Sequence, residues 1–326
     1  MITLCPYSLK PIVDLPAGEV SDEHTIPRAL GGPDALVLSA DRSSNSRFGE
    51  TVDSDLVHDK RLRFVAATQG VRSRSSEVTV QLPGTIVETG DAMTITFDKN
   101  GMGDRLIVNS HRKNPPTGTI TLTGFDDQFE RALEQLSEGT ARKNKSIQKH
   151  GHRTINNPLV KVDIQSDSFS VSKGLAKIAY LMTFRTLGDS FALSLDGKAY
   201  RDTILAANWD DFDGYNLRKF LGVDLPVLPA IAIHEHLVAC YRIGPLILTT
   251  VKLFGGVCLA TFGMPAASYG MSGLDGFVIV IDSLQRTFTE RRLQEAVSLF
   301  DMAQRLKLSL PDGANEERHF GNWRPI

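Results

Sequence analysis

Cysteine is scarce in this chain. Among 326 residues there are three, Cys5, Cys240 and Cys258. Three widely spaced thiols build no disulfide framework and suit a reducing, cytoplasmic setting. Charge of one sign is also lacking. Lys and Arg number 36, Asp and Glu 38, so the formal net charge is −2. That balance excludes a uniformly basic nucleic-acid coat and leaves any DNA binding to local patches. No apolar run is clean enough to span a bilayer. The longest, GPLILTTVKLFGGVCLATFG (Gly244–Gly263), is broken by Lys252 and by glycines. It reads as paired buried strands, and no membrane partner is expected. The first residues show no charged start followed by a long apolar stretch, so no signal peptide is expected. There is no internal repeat and no long low-complexity linker. What is present is ordinary: 41% of residues are hydrophobic, enough for a sizeable core. The length fits one large domain or a few smaller ones.

Residues 1–58 are turn-rich and polar, too poor in apolar material to fold unaided. Within them, ALVLSA (Ala35–Ala40) is expected as a strand. DRSSNSRFGETVDSDLVHD (Asp41–Asp59) opens with N-cap residues. It is expected to run on as a helix with Phe48, Val52 and Leu56 on one face, against the weakening effect of Gly49. Residues 60–122 carry alternating, β-branched runs (SEVTVQL, AMTITF, RLIVN, GTITLTG) separated by turn signals, and predict an antiparallel sheet. Asp126–Gly139 is an amphipathic helix with Phe129, Leu133 and Leu136 on its stripe. PLVKVDIQ is a strand, and Ser170–Gly188 is a helix capped by Ser170 or Ser172 and stopped by Gly188. A short helix at Lys198–Ala206 precedes four strands, AIAIHEHLVACYR, PLILTTVKL, GVCLATF and GFVIVID. A late helix is expected over Thr289–Leu308.

One constellation carries chemistry. SDEHTIPRALGG (Ser21–Gly32) sets Glu23 beside His24, ahead of a proline and a glycine pair. Upstream lies CPYS, with Cys5 and Ser8; downstream, LVLSADRSSNSRFG brings Asp41, Ser44 and Asn45. This set resembles the HNH nucleases, also called ββα-metal nucleases, in their zinc-knuckle variety. That family's pattern is C-x-x-C, then [DE]-H-x-x-P-x-x-x-G-G, a strand, C-x-x-C-N, and a short F-G and Asp stretch. The likeness covers residues 5–53, and the His24-to-Asn45 separation is also similar to that of the phage Holliday-junction resolvase branch.

The resemblance implies an α+β fold. A small N-terminal ββα-metal (HNH) finger over residues 1–58 would pack on a larger mixed α+β region, 59–326, with an antiparallel sheet and a sub-boundary near 155. It implies a metal-dependent endonuclease that hydrolyses phosphodiester bonds, most naturally in double-stranded DNA, in a role such as defence against foreign DNA. A homodimer would allow both strands to be cut. The residue types suit that chemistry. Glu23 offers an anionic oxygen and Asn45 a carbonyl oxygen to Mg²⁺ or Mn²⁺, a hard ion with open water positions. His24, with an imidazole that titrates near neutrality, suits the general base. Arg28 and Arg47 could clamp a phosphate.

The knuckle departs from the family pattern. Cys5 alone is a cysteine; Ser8, Asp41 and Ser44 stand at the other three positions. One thiol, one carboxylate and two hydroxyls make a poor tetrahedral site, so structural Zn²⁺ is expected to be absent and hydrogen bonds and docking to hold the finger. Asp34 is the nearest candidate for the family's base-orienting asparagine, and a carboxylate there is expected to favour imidazolium. The alternative reading is therefore a catalytically degenerate HNH-like module that binds nucleic acid or acts as a scaffold. A third reading places a metal on His234 and His236, two imidazoles on one strand face, although facing a polar interface is the commoner role for such a pair. Asp53 and His58 are read as a structural pair, and Cys240 and Cys258 as core. The basic stretch Arg142–Arg153 could track a phosphate backbone, as KRLRF and VRSRSS could more weakly.

Overall fold

The computed structural model describes residues 2–73, 76–108, 112–114, 119–122, 126–142, 159–224, 228–271 and 275–296. It is a mixed α+β protein with antiparallel sheets. Its residues group into two compact units, one of residues 1–58 with 167–326 and one of 59–166. The region 59–326 of the sequence reading is thus shared between the units.

The first unit begins with strands β1 (Val20–His24) and β2 (Val37–Asp41), paired antiparallel with Glu23 opposite Leu38. Helix α1 (Arg42–Phe48) follows at once, because the Asp41 carboxylate accepts from the amides of Ser43 and Ser44. The helical backbone continues through a π turn, Gly49–Asp53, into α2 (Ser54–His58). Gly49 sits at φ −61° and does not break it. Phe48, Val52 and Leu56 are all buried, as the spacing predicts, with the extra residue of the π turn taken up between them.

The second unit opens with helix α3 (Lys60–Gln69), a departure from the sheet expected to start at residue 60. Asp59 caps it, Gly70 closes it at φ +75°, and Leu62, Ala66 and Ala67 form its buried stripe. Local capping and helical spacing thus override the neighbouring strand signals. Short strands β3 (Arg72–Ser73) and β4 (Ser76–Glu77) pair with each other. Then come β5 (Val80–Ile86), β6 (Ala92–Asp98), β7 (Gly101–Val108), the small pair β8 (Arg112–Asn114) and β9 (Thr119–Thr121), helix α4 (Asp126–Ala141) and β10 (Val160–Val162). The four-stranded sheet runs β10-β5-β6-β7, with Ile86, Met93 and Ile95 in its core. The side chains of Asp59 and Ser166, first and last residues of this unit, hydrogen-bond to each other. Residues 143–158, which hold most of the basic stretch and the sub-boundary near 155, lie outside the described residues.

The chain re-enters the first unit with α5 (Ser168–Leu187). Its cap is Asp167, which accepts from Phe169, ahead of the expected Ser170 or Ser172; Ser170 donates to the Asp167 carboxylate instead. Helices α6 (Asp189–Ala192), α7 (Leu195–Ile204) and α8 (Trp209–Gly214) follow. The main sheet is built from β11 (Arg218–Leu221), β12 (Glu235–Ile243), β13 (Leu246–Leu253), β14 (Cys258–Pro265), β15 (Gly276–Asp282) and β16 (Thr287–Arg292), in the order β11-β14-β13-β12-β15-β16. Helix α9 (Leu293–Ala296) completes the described chain. The late helix is therefore corrected: Thr289 and Glu290 pair with Val280 and Ile279, and the helix starts at Leu293. The turn at Arg286 (φ +55°) folds TFTERR back as an edge strand, and its Thr and Phe residues favour that state. Residues 297–308 lie outside the described residues.

Strands β12 and β13 are buried along nearly their whole length, which is why they read as continuous apolar runs. Helix α5 packs on one face, where the Thr183 and Thr249 hydroxyls hydrogen-bond at 2.7 Å. Leu237, Ala239, Tyr241, Leu248 and Val278 form a cluster with Leu228 and Leu293. All three cysteines are buried, and none is in a disulfide. Among the described residues no helix is long and apolar enough to cross a membrane.

Candidate functional site

The glycine pair shapes the loop between β1 and β2. Gly31 adopts φ +86°, and a Cβ on Gly32 would lie 2.0 Å from the carbonyl oxygen of Ile26. The tight loop returns the chain so that Asp34 faces the end of β1. His24 Nε2 lies 3.8 Å from Asp34 Oδ1, while Arg28 Nε donates to that same oxygen at 2.6 Å. Arg286 donates to the Arg28 carbonyl at 3.3 Å and adds a second guanidinium to the group. His24 is half-buried, and its Nε2 has no hydrogen-bond partner.

Burial, followed by the charge of Arg28, lowers the His24 pKa below 6.5, against the opposite pull of Asp34. Asp34 does favour imidazolium, as expected, but burial and Arg28 outweigh it. Asp34 spends its charge on Arg28, whose hydrogen bond is the largest influence holding the exposed carboxylate below its ordinary range. The ring is thus mainly neutral at pH 7, the state a proton acceptor needs.

Glu23 points elsewhere. Neighbouring strand residues face opposite ways, and Glu23 turns inward to α5. It is 1% exposed, and the Lys177 Nζ lies 2.7 Å from its Oε1 as an ion pair. Lys177 is itself 1% exposed and donates to Asp53 Oδ2 at 2.5 Å. Tyr7 completes the cluster: it stacks on Phe48 with ring centroids 4.1 Å apart and lies under the ammonium at 5.9 Å. Burial pulls the lysine toward neutrality, but Asp53 and Glu23 outweigh it, and its pKa is raised. Burial pushes the Glu23 carboxyl up despite Lys177. These directions agree once the cluster is read as two carboxyl groups sharing one ammonium, with burial favouring the protonated form of Glu23.

Asn45 is committed to β1. Its Nδ2 donates to Ser21 Oγ at 3.0 Å and to the Asp22 carbonyl at 2.9 Å, pinning α1 on the strand. Arg47 is exposed on α1. The knuckle positions gather around one sulfur. Cys5 Sγ accepts from the amides of Ser8 (3.4 Å) and Asp41 (3.2 Å), and Asp41 Oδ1 in turn holds the Ser44 amide at 3.2 Å. The loop docks through Tyr180 of α5, which donates to the Pro6 carbonyl, and through Asp189, which accepts from Thr3 and Leu4.

Neither ion of the family pattern fits this arrangement. Zn²⁺ would find one thiol already accepting two amides and one carboxylate spent as a helix cap. Mg²⁺ or Mn²⁺ needs ligand oxygens free of a competing cation, and Glu23 already faces an ammonium. Among the described residues no group of three or more His, Cys, Asp or Glu side chains could hold a metal. The His234–His236 site fails on geometry. His236 is fully buried; its Nδ1 accepts from Phe254 N at 3.1 Å, so its Nε2 donates to the Leu30 carbonyl at 2.8 Å. Both ring nitrogens are spent, and the residue is a pin between β12 and the loop after β1.

Lys177 and Tyr7 were missed beside Glu23, and Arg286 beside Arg28 and His24. Lys177 had a signal, a single charge inside the apolar run GLAKIAYLM, where a buried cation requires a buried anion. No protein-family model, curated protein or solved structure matches this chain.

Proposed function

We propose that residues 1–58 form an HNH-type ββα finger and that the protein hydrolyses phosphodiester bonds, in double-stranded DNA. The observation that carries this reading is His24. It combines a buried Nε2 that makes no hydrogen bond, a lowered pKa and two nearby guanidiniums at the end of a strand-strand-helix unit. In the proposed reaction His24 takes a proton from the attacking water. Arg28 and Arg47 donate to phosphate oxygens, an interaction that guanidinium forks make strongly. The role in defence against foreign DNA and the homodimer belong to the same proposal. Mg²⁺ or Mn²⁺ is given no step here, because Glu23 is committed to Lys177.

That ion pair favours a second reading, a finger that binds nucleic acid without cutting it. Plasmid nicking with Mg²⁺ or Mn²⁺, comparing wild type with His24→Ala, separates the two. Under the first reading wild type nicks, the variant does not, and the variant still binds DNA. Inertness of both proteins in every metal tried would favour the second.

A further inference from the structure

The Glu23–Lys177–Asp53 cluster has an unusual composition for a protein interior. Buried charges need partners, and here one cation serves two anions. Glu23 Oε1 faces Lys177 at 2.7 Å, with the Tyr7 hydroxyl beside the same carboxyl, and Asp53 Oδ1 is buried without a hydrogen bond. Asp53 is the last residue of the π turn, and Leu56 packs against Gly174 of α5, one turn before Lys177. Oxygen donors around one central positive charge are the environment a hard divalent cation selects. The charge present is a lysine ammonium, supplied by a helix that is otherwise apolar at its buried positions from Val171 to Phe184, apart from Ser172 and Thr183.

We infer that Lys177 fills, with its ammonium, a latent divalent-cation site between Glu23 and Asp53, and so keeps a metal ion off the finger's acidic position. This rests on Glu23 being the acidic residue of an HNH-type finger, but its test reads metal binding and is independent of cleavage. An ammonium carries one charge, so the filled cluster remains net negative; a divalent ion in its place would make it neutral. Removing the lysine charge without adding an ion leaves two carboxylates facing each other in a dry site, a costly arrangement.

The experiment is Mn²⁺ titration of the full-length protein at pH 7.5, followed by electron paramagnetic resonance and by thermal melting. Wild type is expected to bind no Mn²⁺ at this site below millimolar concentration. Lys177→Gln should bind one ion per chain at least tenfold more tightly and gain melting temperature with Mn²⁺. Glu23→Gln combined with Lys177→Gln should lose that ion. If Lys177→Gln does not fold, Lys177→Met, which keeps the aliphatic stem, takes its place. A folded charge-free variant with no Mn²⁺ site overturns the inference, as does failure of both variants to fold even with Mn²⁺ present. It is equally overturned if wild type binds Mn²⁺ as tightly as Lys177→Gln and loses it on Glu23→Gln. A variant that gains the ion and still cuts no DNA upholds the inference and counts against the nuclease reading alone.

Discussion

His24 and His236 differ in what their burial leaves free. His24 keeps Nε2 without a hydrogen bond, 3.8 Å from Asp34, and burial with the Arg28 charge lowers its pKa. The general base of the proposed reaction works in its unprotonated form. The nicking rate should therefore be on its plateau at pH 7 and fall as acid protonates the ring, with the limb below pH 6.5. Asp34→Asn removes a charge that favours imidazolium and should move the limb further down. A limb at or above 6.5 in wild type would contradict this assignment. His236 has no function open to it except structure. Its pKa is lowered to about 4, first by burial, with the Leu30 hydrogen bond opposing. A depressed folded-state pKa gives stability that is present above the ordinary value of 6.5 and is lost as pH falls toward the folded value. Full protonation would cost about 3 kcal/mol at roughly 1.4 kcal/mol per pKa unit. Urea unfolding at pH 7.5 and 4.5 should show His236→Gln losing about 2–3 kcal/mol less than wild type between the two pH values. Equal losses would mean the ring takes a proton without cost.

The elements show where sequence signals suffice. Helix α5 approaches α2 closely, because a Cβ on Gly174 would lie 2.9 Å from three side-chain atoms of Leu56. Gly174→Ala should destabilise the protein by about 1–3 kcal/mol, the usual cost of overpacking a core. A melting temperature unchanged from wild type would show that Leu56 moves aside freely. The sequence did not reveal this contact: Gly174 and Leu56 are far apart in the chain, and their meeting depends on tertiary packing. By contrast, the helix over Asp41–Asp59 was legible, since Phe48, Val52 and Leu56 keep helical spacing and Asp41 supplies the cap. The strands β12 to β15 were legible for a similar reason, being apolar runs bounded by turn residues. The misreadings lie where two local signals compete. At Lys60–Gln69 a capped helix lay next to strand-rich sequence, and at Thr289–Arg292 an edge strand with charged residues mimicked an amphipathic helix. The candidate site was half legible. Glu23, His24 and Asn45 stood out by motif, but motif cannot say that Glu23 turns inward to an ammonium on a helix more than a hundred residues away.

At the scale of the whole molecule, the first unit is built from two stretches of chain with the second unit inserted between them. The insertion is closed at its base, since Asp59 and Ser166 hydrogen-bond to each other. The ends left by its removal, His58 and Asp167, follow directly from those two residues and so lie near each other. Within the same unit, Phe48 stacks on Tyr7, and Leu56 and the buried Glu23 find their partners on α5. Bridging residues 58 and 167 with a short Gly-Ser linker should therefore leave a protein that folds, because the cost of closing a short loop grows only slowly with its length. Its circular dichroism should show one cooperative melting transition, and His236→Gln should reduce its acid sensitivity as in the full chain. If the shortened protein is instead soluble but melts without a transition, the inserted unit is part of the first unit's folding nucleus. DNA binding by this same protein addresses the basic sequence Arg142–Arg153, which it lacks. If those residues contact phosphates, affinity should drop and the salt dependence of binding should become shallower, since fewer counterions are released per complex.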